Sequence, residues 1–513
     1  MVISRRRFLI RSAVAAASTA VVPGVLRATG TDQFKPGRKP RHIIHLVSDG
    51  MSLGTLTCAD YFSQLTRGRP LAWMDLYRRP AVQAALMNMR SLNSTVTDSA
   101  AASSSWGSGA RVKNGALNVL PDDQELRTLF ALLADAGWTR GLVTTTEITH
   151  ATPAGFAVNM NSRGSADAIA VQYLERQVDV LLGGGAKFFD PAQRKDKRDL
   201  QAEYRQRGYC VLQNRSELTD APPTQRWLGV FAKSHLPFTL DHRNSDSLQA
   251  SVPTLVEMTR AALRRFERAK HFLLQVEGGR VDHAVHASDA AAAMRDQVAF
   301  DEALEACREF QRREPDTLIV VTTDHGNSNL GLNGTGSGYE RSPRNFARLT
   351  EVQKSFPELL KDFKKASGLD PDKETTDAAA LASLRQLAPD RVSELIEEAT
   401  GYAVPQKKAE AFVRFLAGLE TPLYDGMNSL ATQFGQLLAN HFGIGWTGNA
   451  HTADYVPLVA AGPGAERFRG FIQNTDVFAH YLALAGIRFR NPTWPLLAES
   501  GPSAAEVEHW QLT

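Results

Sequence analysis

Thr317-Leu318-Ile319-Val320-Val321-Thr322-Thr323-Asp324-His325 is a continuous, largely β-branched and apolar run that ends on a carboxylate and an imidazole. A run this short, without polar alternation, reads as a strand buried on both faces. Two other runs have the same form. His42-Ile43-Ile44-His45-Leu46-Val47 leads through Ser48 to Asp49, and Phe272-Leu273-Leu274-Gln275-Val276 leads to Glu277. Further runs lie at 141–145, 179–182 and 455–461, and helical patterns separate most of them. The alternation predicts an α/β fold with a doubly wound, largely parallel central sheet covered by helices on both faces. Ligands of such sheets bind beyond the carboxyl ends of the strands, where Asp49, Glu277, Asp324 and His325 stand. One buried carboxylate there could be a structural cap. Several at successive strand ends concentrate charge that requires compensation.

Val96-Thr97-Asp98-Ser99-Ala100-Ala101-Ala102 sets a serine beside an aspartate at a predicted helix start. Small residues from Ala100 to Ser105 let a ligand approach the backbone closely. In Glu277-Gly278-Gly279-Arg280-Val281-Asp282-His283-Ala284-Val285-His286, Asp282 and His286 are four apart, so a helix would place both on one face. His451, within Gly448-Asn449-Ala450-His451-Thr452, adds another imidazole. His235, His271, His480 and His509 stand in no motif and read as surface or core residues. A serine among carboxylates and imidazoles points to a nucleophile activated by metal ions.

Residues 331–445 interrupt the strand–helix rhythm. Gly331–Gly338 reads as a loop, and Leu430, Phe434, Leu437 and Leu438 mark an apolar helical face. The reading is a helical insertion into one α/β domain spanning residues 40–513. Residues 1–28 resemble a twin-arginine export signal, with Ser4-Arg5-Arg6-Arg7-Phe8-Leu9-Ile10 at its head. That segment implies a periplasmic or extracellular protein. Arg11 and Pro23 break its apolar stretch, so no stable transmembrane segment is expected. Without the arginines of residues 1–20, the formal charge falls from +3 to −1, and no basic stripe suggests nucleic-acid binding. Cys58, Cys210 and Cys307 are too few and too widely spaced for a disulfide framework.

The chain resembles the alkaline phosphatase family. The resemblance rests on Val47-Ser48-Asp49-Gly50-Met51, Thr97–Ala101, Ala151-Thr152-Pro153-Ala154, Ser162-Arg163, Val276-Glu277-Gly278, Asp282 with His286, Thr323-Asp324-His325-Gly326 and His451-Thr452, in the family's order. It implies hydrolysis of phosphate monoesters through a phosphoserine on Ser99. It implies two zinc ions, one held by Asp282, His286 and His451 and the other by Asp49, Asp324 and His325. A magnesium ion would take Asp49, Thr152 and Glu277, all oxygen donors as that ion prefers. Arg163 would clamp the phosphate, oriented by Asp98, and the protein would be a homodimer.

His150 and His283 occupy positions where some bacterial members carry aspartate and lysine; histidines there resemble the animal-type pattern. They would border the first ligand layer, favour zinc at the third site and speed phosphate release. Two rival readings are a related metallohydrolase acting on phosphodiesters or sulfate esters, and an exported metal- or phosphate-binding protein without turnover. The sulfatase Cys/Ser-x-Pro-x-Arg context is missing around Ser99, and an intact Ser99 and Arg163 argue for turnover.

Overall fold

The structure, a computed structural model, describes residues 38–334, 338–371, 384, 386–416, 418–420 and 423–496. The expected export segment, 1–28, lies outside the described residues, as do 335–337 of the glycine-rich loop and 372–383 of the expected insertion.

The strands in chain order are β1 (His42–Val47), β2 (Gln83–Asn88), β3 (Thr139–Glu147), β4 (Val180–Gly184), β5 (Tyr209–Leu212), β6 (Arg226–Val230) and β7 (Phe272–Glu277). They continue with β8 (Thr317–Thr322), β9 (Gly326–Asn327), β10 (Gly331–Leu332), β11 (Ile444–Gly445), β12 (His451–Thr452), β13 (Val456–Ala461) and β14 (Gly470–Gln473). Ten of them form one sheet in the order β14-β2-β13-β8-β1-β7-β3-β4-β6-β5. Only β13 runs against its neighbours, β2 and β8; the other pairings are parallel. This is the largely parallel α/β sheet the sequence predicts, with one reversed strand.

Strand periodicity divides the core into two layers. Ile44, Leu46, Phe272, Leu274, Val276, Ile319 and Val321 face one side, where they meet Leu56 and Phe62 of helix Leu53–Arg67 and Met294 and Phe300 of helix Ala290–Arg313. Ile43, Val47, Leu273, Leu318 and Val320 face the other, against Trp106 of helix Ser99–Ser108 and Phe478 of helix Asn474–Ala485. Each such side chain, once fully buried, contributes about 1.5–3 kcal/mol. Coverage on both faces is what makes the central strands read as unbroken apolar runs.

Helix Ala290–Arg313 also ties other segments down through three buried aspartates. Asp289, its N-cap, accepts from the amide of Phe356 at 2.8 Å. Asp296 accepts from the amide of Thr239, and Asp301 from those of Ala72 and Trp73 at 2.9 and 3.0 Å. Phe356, Thr239 and Ala72 each open a helix, so each carboxylate satisfies an otherwise orphaned amide and meets the positive end of a helix dipole.

Short ribbons place the remaining parts. Antiparallel β10 and β11 join the two ends of the mainly helical stretch between them. Antiparallel β9 and β12 pair His451 with Asn327, which brings His451 to the strand end that carries Asp324 and His325. The three cysteines are free. No helix among the described residues is long and apolar enough to cross a membrane.

Candidate active site

Register explains why distant residues meet. Val47 of β1 lies level with Glu277 of β7 and Thr322 of β8, and Glu277 lies level with Thr144 of β3. Asp49 and Asp324 therefore project just past one row of strand ends, beside Glu277. Gly50 turns the chain there with φ +67, and a Cβ on it would lie 2.3 Å from an oxygen of Asp282. Only glycine meets both conditions. Its amide donates to Asp324 Oδ1 at 3.1 Å.

Asp49, Glu277 and Asp324 are fully buried. Both oxygens of Asp49, Oε1 of Glu277, Oδ2 of Asp324 and the hydroxyl of Thr152 have no hydrogen-bond partner. Unpaired buried carboxylates are too costly to cluster without a compensating cation. Burial and the charges of Asp324, Asp282 and Glu277 raise Asp49 well above the usual carboxylate range. Burial lifts Glu277 to about 7 and Asp324 to about 6. Asp282 is also buried, but the nearby imidazoles of His286, His325 and His451 outweigh burial and hold it below its ordinary value.

The histidines point the same way. Helix Arg280–His286 does put Asp282 and His286 on one face, with Oδ2 and Nε2 3.4 Å apart. His286 Nδ1 donates to the Asn449 carbonyl at 2.6 Å, His451 Nδ1 to the Thr97 carbonyl at 2.9 Å, and His325 Nδ1 to the Gly326 carbonyl at 3.3 Å. A carbonyl can only accept, so each Nδ1 carries the proton and each Nε2 turns a lone pair inward. The Nε2 atoms of His286 and His451 face each other at 3.1 Å. Two lone pairs so close call for an electron-pair acceptor between them. His325 Nε2 lies 3.5 Å from Asp49 Oδ1 and 3.2 Å from Asp324 Oδ2.

Three donor clusters result: Asp282, His325 and His451; Asp49, Asp324 and His325; Asp49, His150 and Glu277. His286 adjoins the first, and Asp49 belongs to both others. Nitrogen and carboxylate donors suit zinc, whereas Asp49, Glu277 and Thr152 offer hard oxygen. His150 Nε2 accepts from Arg163 Nη2 at 3.1 Å, which leaves the proton on Nδ1, 4.0 Å from Glu277 Oε1. In that tautomer Nδ1 carries a proton with no hydrogen-bond partner, and His150 could join the third cluster as a ligand only by giving up its contact with Arg163.

Ser99 opens helix Ser99–Ser108, and its hydroxyl lies 3.2 Å from His325 Nε2. Asp98 caps the helix by accepting from the Ala101 amide. Its other oxygen accepts from Arg163 Nη1 at 3.0 Å and from the Gly115 amide. A hydroxyl, a helix amino end and a guanidinium fork thus share one opening, a combination suited to a tetrahedral anion.

Several supporting groups were not legible in the sequence. Thr144 and Thr146 donate to Glu277, and Asn327 donates to Asp282. His235 is neither a surface nor a simple core residue: its ring packs 4.4 Å from His283 and 5.9 Å from His150. Arg280 Nη1 donates to His283 Nδ1 at 2.7 Å. Of this group His150, Arg280 and His283 stand in stretches that the sequence marks. His235 reaches them from the segment after β6, with no local signal.

The sequence model of the family described as alkaline phosphatase matches residues 40–487. Alkaline phosphatase 4 of Bacillus subtilis is 30% identical over 453 residues, covering 85% of this chain and 87% of that protein. Alkaline phosphatase 3 of the same organism is 32% identical over 392 residues, covering 74% and 75%. The crystal structure of Thermus thermophilus alkaline phosphatase superposes with a TM-score of 0.79 at 32% identity, covering 96% of this chain and all of that one.

Proposed function

Because the chain belongs to the alkaline phosphatase family, we propose that it hydrolyses phosphate monoesters through a phosphoserine on Ser99. The observation that carries this reading is the convergence of unpartnered buried carboxylate oxygens and inward imidazole lone pairs beside one serine hydroxyl. Asp282, His286 and His451 would hold one zinc ion, Asp49, Asp324 and His325 a second, and Asp49, Thr152 and Glu277 a magnesium ion. When bound, such ions supply positive charge that promotes ionisation of a hydroxyl and stabilises oxygens gaining charge.

The chain's own residues supply position. Arg163 holds two non-bridging oxygens of the phosphate, and Asp98 fixes the guanidinium plane. Ser99 Oγ attacks phosphorus in line, the P–O bond to the alcohol breaks on the opposite face, and the phosphoryl group moves to Ser99. Water then breaks the serine–phosphorus bond and releases phosphate. His150 and His283 shape the third site from outside the ligand layer. A monoester dianion offers three non-bridging oxygens and two negative charges to Arg163 and the proposed ions, whereas a diester offers two oxygens and one charge, and a sulfate ester one charge. Release of an aryl alcohol from an aryl phosphate is therefore expected at roughly ten- to a hundredfold or more the rate from a diaryl phosphate or aryl sulfate, given the strength of interactions with one full charge. A chelator abolishes it and zinc restores it. Equal rates on the diester would reverse the assignment.

Residues 40–513 would form the folded enzyme, with 331–445 as its insertion, exported under the direction of residues 1–28. A homodimer is supported by helix Leu53–Arg67, which exposes Leu53 at 56%, Tyr61 at 51% and Leu65 at 49%, each a multiple of four apart on one face. Tyr61→Lys should halve the mass measured by light scattering. A variant that keeps the wild-type mass would remove this face from the interface.

A further inference from the structure

A cavity of about 740 Å³ borders Arg280, His235 and Lys233, one side chain removed from the metal-binding cluster. Arg280 lies flat on Phe238, its guanidinium carbon 3.6 Å from the ring centroid. Its hydrogen bond from Nη1 reaches an imidazole, not an anion, and its buried Nε has no partner. Arg67, Arg140 and Arg194 each meet a carboxylate instead, that of Asp301, Asp179 and Asp196. The acids that influence Arg280, Asp296 and Asp241, are engaged with Thr239 and with the Ser355 amide. Glu358, on the cavity wall, accepts from Lys361. His235 Nδ1 accepts from the Glu147 amide, so its proton is on Nε2. Lys233 is exposed beside it. A half-buried guanidinium whose Nε has no partner, an imidazole N–H and an exposed lysine line one cavity.

We infer that this cavity is a second oxyanion site, taking a carboxylate, sulfate or phosphate group through Arg280, Lys233 and His235. The anion is either free in solution or a second charged group on the substrate. Only the latter case rests on the phosphatase reading.

The test uses the metal-loaded full chain, crystallised and soaked in selenate, with Lys233→Glu beside the wild type. Lys233 is exposed, so the substitution leaves the fold intact. Anomalous scattering should place selenate within hydrogen-bond reach of the Arg280 guanidinium. The concentration for half occupancy should rise roughly tenfold or more in Lys233→Glu, as expected for one charge-assisted contact. No selenate at Arg280, or equal occupancy in both proteins, overturns the inference. A kinetic arm separates the sources. If the anion is substrate-borne, Lys233→Glu lowers kcat/KM roughly tenfold for a monoester whose alcohol bears a carboxylate and leaves a neutral-alcohol monoester unchanged. Unchanged kcat/KM for both, with selenate bound, assigns the site to a free anion. Selenate at Arg280 in a protein that cleaves no ester defeats the phosphatase reading and leaves this one standing.

Discussion

Ser99→Ala is expected to lower turnover of an aryl phosphate by at least about a thousandfold while leaving metal content unchanged, because loss of a nucleophile removes the covalent route entirely. The substitution deletes a single oxygen. Ser99 is 2% exposed, so a methyl group occupies the same space, and alanine suits the first turn of a helix at least as well. The cap survives, since it comes from Asp98. None of the proposed ligand sets includes the serine, so metal analysis should give the wild-type ratio. Steady-state rates and elemental analysis on the same preparation check both halves. Full activity in this variant would transfer the nucleophile's role elsewhere.

Removing the divalent ions should destabilise the fold, by about 3 kcal/mol for each ion held at a hundredfold its Kd. The pH dependence of the stripped protein should carry a definite sign. Glu277 at about 7 and Asp49, higher than its ordinary value, both have folded pKa values above their unfolded ones. Groups raised in this way stabilise the fold fully below the unfolded value, and that contribution disappears as pH rises through the folded value. His325, His150 and His283 are held well below 6.5 by burial and act oppositely, their stability being lost as pH falls below 6.5. At pH 6.5 the unfolded histidines are still half protonated and each adds about 0.4 kcal/mol of opposite sign as pH rises, so the carboxylate share is read against a Glu277→Gln variant of the chelated protein. From pH 6.5 to 8.5 the chelated protein should lose about 1 kcal/mol relative to Glu277→Gln, and Asp49 contributes in the same direction. The metal-loaded protein should lose none of it, because ligands bind metal as anions. Thermal unfolding with and without chelator at the two pH values measures the difference. A chelated protein that changes over that interval by the same amount as Glu277→Gln would contradict the charge clustering.

The central sheet was readable from sequence, and its margins were not. The six apolar runs correspond to β13, β8, β1, β7, β3 and β4, which are consecutive in the sheet. The strands without a clear signal are the two at each margin, β14 and β2 on one side, β6 and β5 on the other. Three of these strands are covered less completely: β2 alternates exposed Ala84 and Leu86 with buried Ala85 and Met87, β14 exposes Gly470 and Phe471, and β5 leaves Cys210 and Val211 half-buried. Such strands carry mixed sequences and lose the unbroken apolar signature. The site divides in the same way. Asp49, Ser99, Asp282, His286, Asp324 and His325 stand next to elements that mark them. His235 acquires its surroundings only through tertiary contacts, so periodicity contains no record of it, whereas Arg280 meets His283 one turn along its own helix and Phe238 from a distant segment. The anchoring aspartates of helix Ala290–Arg313 are equally silent, since an aspartate on a helix usually indicates a solvated face.

The β9–β12 ribbon has a consequence for biosynthesis. It brings His451 onto a cluster that begins with Asp49, so the earliest and latest contributors are separated by nearly the whole polypeptide. Such pairings impose a large loop-closure entropy and form slowly. A nascent chain on the ribosome can assemble β1, β7 and β8 while still lacking the imidazole that completes the cluster. The proposed set of Asp282, His286 and His451 would therefore be completed only after residue 451 is synthesised, and a chain terminated before it would carry much of the sheet yet lack that set.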